Sequence, residues 1–122
     1  MDTELGDALV EVCMCSLELL GSSLGVIEAL WPDAEPTARD IRTACMEAVV
    51  FARSFRDVPG PAMLGERIDW TRARFERVDA QLRRLLDVCP RLRPSLSAGI
   101  EIAERGSEAA ARATRRLGSG RS

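Results

Sequence analysis

Apolar residues recur every three or four positions in four stretches separated by prolines, and no alternating run is long enough for a strand, so the chain is predicted to be all-helical. The first stretch, about 3–31, places Leu9, Cys13, Leu17, Leu20, Leu24, Ile27 and Trp31 on one predicted buried stripe that Pro32 ends. The second, about 37–57, reads Ile41, Cys45, Ala48, Ala52 and Phe55; Pro36 suits a first turn, and Thr37 with Asp40 three later resembles a capping box. The third, about 62–88, is the most regular: Leu64, Ile68, Thr71, Phe75, Val78, Leu82, Leu85 and Cys89 alternate steps of four and three, a coiled-coil-like seam. The fourth, about 95–117, carries Leu96, Ile100, Ala103, Ala110, Ala113 or Thr114, and Leu117; Gly118-Ser119-Gly120 then predicts a frayed tail over 118–122.

Helices of this size are about 30 to 42 Å long at 1.5 Å per residue. The breaks between them, such as Val58-Pro59-Gly60-Pro61, are short. The expectation is an antiparallel up-down-up-down four-helix bundle, one domain over 1–122. Gly21, Gly25, Gly99 and Gly106 fall inside predicted helices, where each costs about 1 kcal/mol relative to Ala. They are either points where a neighbouring backbone packs closely or tolerated surface glycines.

Composition narrows the chemistry. The 122 residues are 46% hydrophobic and 30% charged, ordinary globular values, but His, Tyr, Lys and Asn are absent. The usual imidazole base, the Schiff-base amine and most transition-metal sites go with them. The standard di-iron bundle, which needs Glu-x-x-His, is excluded. Cys13 and Cys15 point about 200° apart on a helix and no C-x-x-C pair exists, so the four cysteines read as small core hydrophobes, with Cys45 and Cys89 the one conceivable thiol pair. Glu101 with Glu104, and Glu76 with Asp79, have arginines within a helical turn and read as salt-bridged surface acids. No phosphate-binding glycine loop or activated nucleophile is present. The expectation is a non-enzyme with no catalytic residue, metal, cofactor or small-molecule substrate. The acidic start, Met1-Asp2-Thr3-Glu4, and the lack of an uninterrupted apolar run of membrane-spanning length predict a cytoplasmic chain with no membrane partner.

Charge is divided along the sequence. Residues 1–35 hold eight acids and no Arg (−8), whereas 36–122 hold 17 Arg and 11 acids (+6), which together give the net −2. Helix 3 contains Arg67, Arg72, Arg74, Arg77, Arg83 and Arg84, and the last stretch contains Arg105, Arg112, Arg115, Arg116 and Arg121 against Glu108. Arginine suits bidentate recognition of phosphate or carboxylate. The candidate partner-binding or nucleic-acid-binding set is therefore Arg67, Trp70, Arg74, Arg77, Arg84, Arg105, Arg112, Arg115 and Arg116. The alternative is a surface of interspersed charges that serves solubility. Trp70, set off the seam among arginines, reads equally as a base-stacking platform, an oligomer contact or a half-buried structural residue.

Pro36-Thr37-Ala38-Arg39-Asp40-Ile41-Arg42, the stretch Gln81-Leu82-Arg83-Arg84-Leu85-Leu86-Asp87-Val88-Cys89, and Glu104-Arg105-Gly106 resemble elements of a known family. Over about 30–117 the chain resembles the accessory variability proteins (Avd) of diversity-generating retroelements, within the wider group of four-helix proteins that includes those encoded by ribosomal-RNA intervening sequences. The resemblance implies a non-enzymatic homo-oligomer, pentameric in that family, that binds a reverse transcriptase and its RNA through an arginine-rich face. The net −2, the acidic first helix and the absence of a late Trp in helix 4 depart from the family's basic character. They fit a second expectation: a protein–protein adaptor of a bacterial defence or conflict system that does not bind nucleic acid directly.

Overall fold

A computed structural model describes residues 3–119. The fold is all-α: helices α1 (Thr3–Leu30), α2 (Glu35–Arg53), α3 (Pro61–Val88) and α4 (Arg93–Ser119), with short 3-10 turns at Ser54–Asp57 and Pro90–Leu92. Among the described residues there is no strand. Helix α1 packs on α2 and α4, and α3 packs on the same two, which closes a four-helix bundle.

The helix ends show which local signals decide. Helix α2 begins at Glu35, before the expected start, with Pro36 in its first turn and no side-chain cap from Ala34. Thr37 and Asp40 therefore lie inside the helix and form no capping box; Asp40 instead accepts hydrogen bonds from Arg77 and Gln81 of α3. Helix α4 begins at Arg93, with Pro94 in its first turn, and continues through Gly118 to Ser119. The expected fraying does not begin at Gly118, and 120–122 lie outside the described residues.

The stripes of α2 and α3 pack as their periodicity predicts. Ile41, Cys45, Ala48, Ala52 and Phe55 are buried, as are Leu64, Ile68, Thr71, Phe75, Val78 and Leu82, with Leu85 and Cys89 half-buried near the helix end. On α4, Leu96, Ala103, Ala110 and Ala113 face inward, while Thr114 is exposed.

Helix α1 corrects the sequence reading. Its buried side chains are Leu5, Ala8, Leu9, Val12, Cys15, Ser16, Leu19, Ser23, Val26 and Leu30. Of the expected stripe only Leu9 is buried. Leu17, Leu24 and Trp31 are exposed, and Cys13, Leu20 and Ile27 are half-buried. The reason is that α1 is apolar on nearly every side, so a three-four rhythm can be drawn along either of two faces. The acids decide between them: Glu4, Glu11 and Glu18, seven apart, lie along the flank that meets α4 and pair there with Arg116, Arg112 and Arg105.

The glycines divide in the same way. A Cβ on Gly106 would lie 2.6 Å from the ring of Phe75, and one on Gly99 would lie 2.7 Å from Leu82. These two admit α3 to close range. Gly21 and Gly25 have nothing within 4 Å, so no neighbouring element of this chain packs on them.

Candidate interaction surface

The arginines singled out from the sequence do not form one open basic face. Three of them join α4 to α1: Arg105 to Glu18 at 2.7 Å, Arg112 to Glu11 at 2.5 Å and Arg116 to Glu4 at 3.2 Å. Two join α3 to α2: Arg77 to Asp40 at 2.6 Å and Arg74 to Glu47 at 3.4 Å. Arg83 bridges Asp79 and Glu104, and Arg72 pairs with Glu76 one turn on. The uneven distribution of charge along the sequence is thus used largely inside the molecule, as two seams that fix helix register. The hydrogen bond from Glu18 is the main reason the Arg105 guanidinium is held even more firmly protonated than usual.

Arg67 donates to the Ser54 hydroxyl at 3.1 Å and lies 5.2 Å above the Trp70 ring. Trp70 in turn packs on Phe51 at 5.4 Å between ring centres, and Arg74 lies 5.2 Å from the Phe51 ring. Trp70 therefore has a structural role at the α2–α3 junction, with about a third of its surface left to solvent. Arg84 and Arg115 make no ion pair among the described residues. Arg84 borders an open hollow shared with Asp40, Arg74 and Arg77, and Arg115 borders another with Glu4, Asp7 and Glu11. Arg121 lies outside the described residues.

The four cysteines are free. Burial pushes the Cys45 thiol up to about 11, against a weaker opposing hydrogen bond to the Ser23 hydroxyl at 3.7 Å. Burial likewise raises Cys13 and Cys15. The pairs Glu47–Arg74 and Asp40–Arg77 place Cys45 beside residues 74–77 of α3, about 20 Å along that helix from Cys89. The conceivable Cys45–Cys89 thiol pair is therefore ruled out by position. Among the described residues no three Cys, Asp or Glu side chains converge to hold a metal ion.

The most conspicuous surface includes Leu17, Leu24 and Trp31, which the spacing had placed in the core. Val10, Met14, Leu17, Leu24 and Trp31 are each more than half exposed, on the side of α1 directly away from the bundle interior. Cys13 donates to the Ala52 carbonyl and Cys45 bonds Ser23, which sets Met46 and Val50 of α2, also exposed, level with positions 13–23 of α1. The signal that finds it is the second rhythm of α1: positions 10, 14, 17, 21, 24, 28 and 31 alternate steps of four and three and hold only one charge, Glu28. By length and composition α1 would also span a membrane, although a third of its most apolar window is buried within the bundle.

Comparison with known proteins returns no matching family model, no matching curated protein and no matching solved structure. Function has to be read from the surface itself.

Proposed function

We propose that this protein is a non-catalytic, homo-oligomeric, cytoplasmic accessory subunit that works through protein–protein contact as an adaptor, built as an antiparallel up-down-up-down bundle. The observation that carries this reading is the contrast between its two surfaces. Of the eight arginines singled out, Arg74, Arg77, Arg105, Arg112 and Arg116 are engaged by carboxylates of the same chain, while a set of large apolar side chains is left in water. Phosphate binding at those five arginines would compete with the internal pairs, whereas protein association would only cover the apolar set. The numbering of the paired residues, with Glu4, Glu11 and Glu18 meeting Arg116, Arg112 and Arg105, supports the antiparallel arrangement.

A second reading, an accessory subunit that binds a reverse transcriptase and its RNA as the Avd resemblance implies, is favoured by Arg84 and Arg115, which have no carboxylate partner among the described residues. Labelled single-stranded RNA titrated at several salt concentrations separates the two. Neutralising four phosphates gives a log–log slope near −2.8, and two give about −1.4. The adaptor reading expects no saturable binding at micromolar protein. Tight binding with a slope of −2.8 or steeper would decide for RNA.

A further inference from the structure

We infer that the outward face of α1 is a two-fold interface between two copies of this chain, in which the two α1 helices lie head to tail with Gly21 at the axis. This rests on the reading of the protein as a homo-oligomer and specifies its surface and symmetry.

Three independent observations converge. The first is extent. Val10, Met14, Leu17, Leu24, Trp31, Met46 and Val50 are each between 45% and 63% exposed, on the order of 700 Å² in all, against about 800 Å² per partner in a standard interface.

The second is the pair of glycines. Gly21 and Gly25 weaken a helix, and nothing in their own chain comes within 4 Å of where a Cβ would stand. Gly99 and Gly106, by contrast, are filled by Leu82 and Phe75. Gly21 sits at the midpoint of the 10–31 stripe, where a helix approaching from outside would reach its closest distance.

The third is charge, which sets the direction. Glu4, Glu11 and Glu18 are occupied by α4, so Asp7 and Glu28 are the acids left on or beside the stripe. A head-to-tail pair about Gly21 sets Leu17 against Leu24, Val10 against Trp31 and Glu28 against Met14, with Asp7 beyond the end of the partner's helix. No acid of one α1 then faces an acid of the other; Asp7 lies toward the turn after the partner helix, where Glu35 is held by Arg39. A parallel pair would stack Asp7 on Asp7 and Glu28 on Glu28. The same acids, with no Arg anywhere in α1, argue against an anionic membrane surface as the occupant.

The test is the mass of the full chain by sedimentation equilibrium across a range of concentrations, with helicity measured in parallel. A dimer is expected. Leu17→Glu with Leu24→Glu, and separately Gly21→Leu, should weaken it at least tenfold while helicity is retained, because all three positions face solvent in the monomer. Under mild oxidation Gly21→Cys should give a disulfide-linked dimer absent from the parent chain, whereas Met14→Cys should not, its two copies being about 21 Å apart. A monomer at every concentration overturns both the interface and the homo-oligomer reading. A larger ring, or any oligomer indifferent to Leu17, Leu24 and Gly21, overturns the interface alone. Cross-linking through Met14→Cys but not Gly21→Cys, or a monomer that floats with phosphatidylcholine vesicles and loses this in the Leu17/Leu24 variant, also overturns it.

Discussion

The Phe75 ring occupies the space a Cβ would need on Gly106, 2.6 Å from it. A buried phenyl ring in close-packed surroundings cannot swing aside, so Gly106→Ala is expected to cost about 1 to 3 kcal/mol through overpacking, even though alanine is the better helix former. Gly25→Ala meets nothing within 4 Å and should instead raise monomer stability by about 0.5 to 1 kcal/mol. Urea unfolding of both variants at dilute protein would show opposite shifts in midpoint. Equal shifts would contradict this division of the glycines.

With no Lys and no Tyr in the sequence, the side chains that titrate between about pH 8 and 11 are the thiols. Cys45 is raised from 9.0 to about 11 in the folded state. Below pH 9 both folded and unfolded chains carry the neutral thiol. Above it the unfolded chain loses the proton first, so stability should fall between pH 9 and about 11, by about 2 to 3 kcal/mol from this residue. Cys45→Ala should flatten that decline in a pH series of denaturant titrations; an unchanged slope would contradict the thiol's protection.

The ion pair between Arg112 and Glu11 spans 101 positions of sequence but is nearly half exposed at both ends. Its coupling energy in a double-mutant cycle is expected to be about 0.2 to 1 kcal/mol and to shrink at high salt. The seam sets which flank of α1 meets α4 more than it sets total stability. A coupling of several kcal/mol would show that it is shielded from water.

Trp70 packs on Phe51 with the two rings tilted at 58° and receives the Arg67 guanidinium. Trp70→Ala should therefore cost about 1 to 2 kcal/mol, while Arg67→Ala loses the cation–π contact together with the hydrogen bond to Ser54. An unaltered melting curve for Trp70→Ala would return this residue to the role of a free stacking platform.

Legibility from sequence followed how one-sided each helix is. Helices α2 and α3 confine their apolar residues to one stripe between charged ones, so Ile41 to Phe55 and Leu64 to Leu82 could be placed inward from spacing alone. Helix α1 has two apolar stripes, and periodicity does not say which is covered. Ser16 and Ser23 are buried because they are small and their positions lie between helices, Ser16 satisfying its hydroxyl on the Cys13 carbonyl. The arginines were visible as a cluster, but their partners were not. Glu18 and Arg105 are 87 residues apart, and only tertiary packing brings them together. Closing α1 against α4 engaged Arg105, Arg112 and Arg116 of the basic set that the sequence suggested, and left Leu17, Leu24 and Trp31, which it had assigned to the interior, in water.

The α1–α4 seam also orders events during synthesis. Residues of α1 wait for partners that are about a hundred positions downstream, which at ribosomal speed is on the order of 5 to 20 seconds. Throughout that interval a 28-residue helix, greasy on two sides, has at most α2 to lean on. Its flank toward α4 stays in water for that interval and closes only after Arg105, Arg112 and Arg116 have emerged.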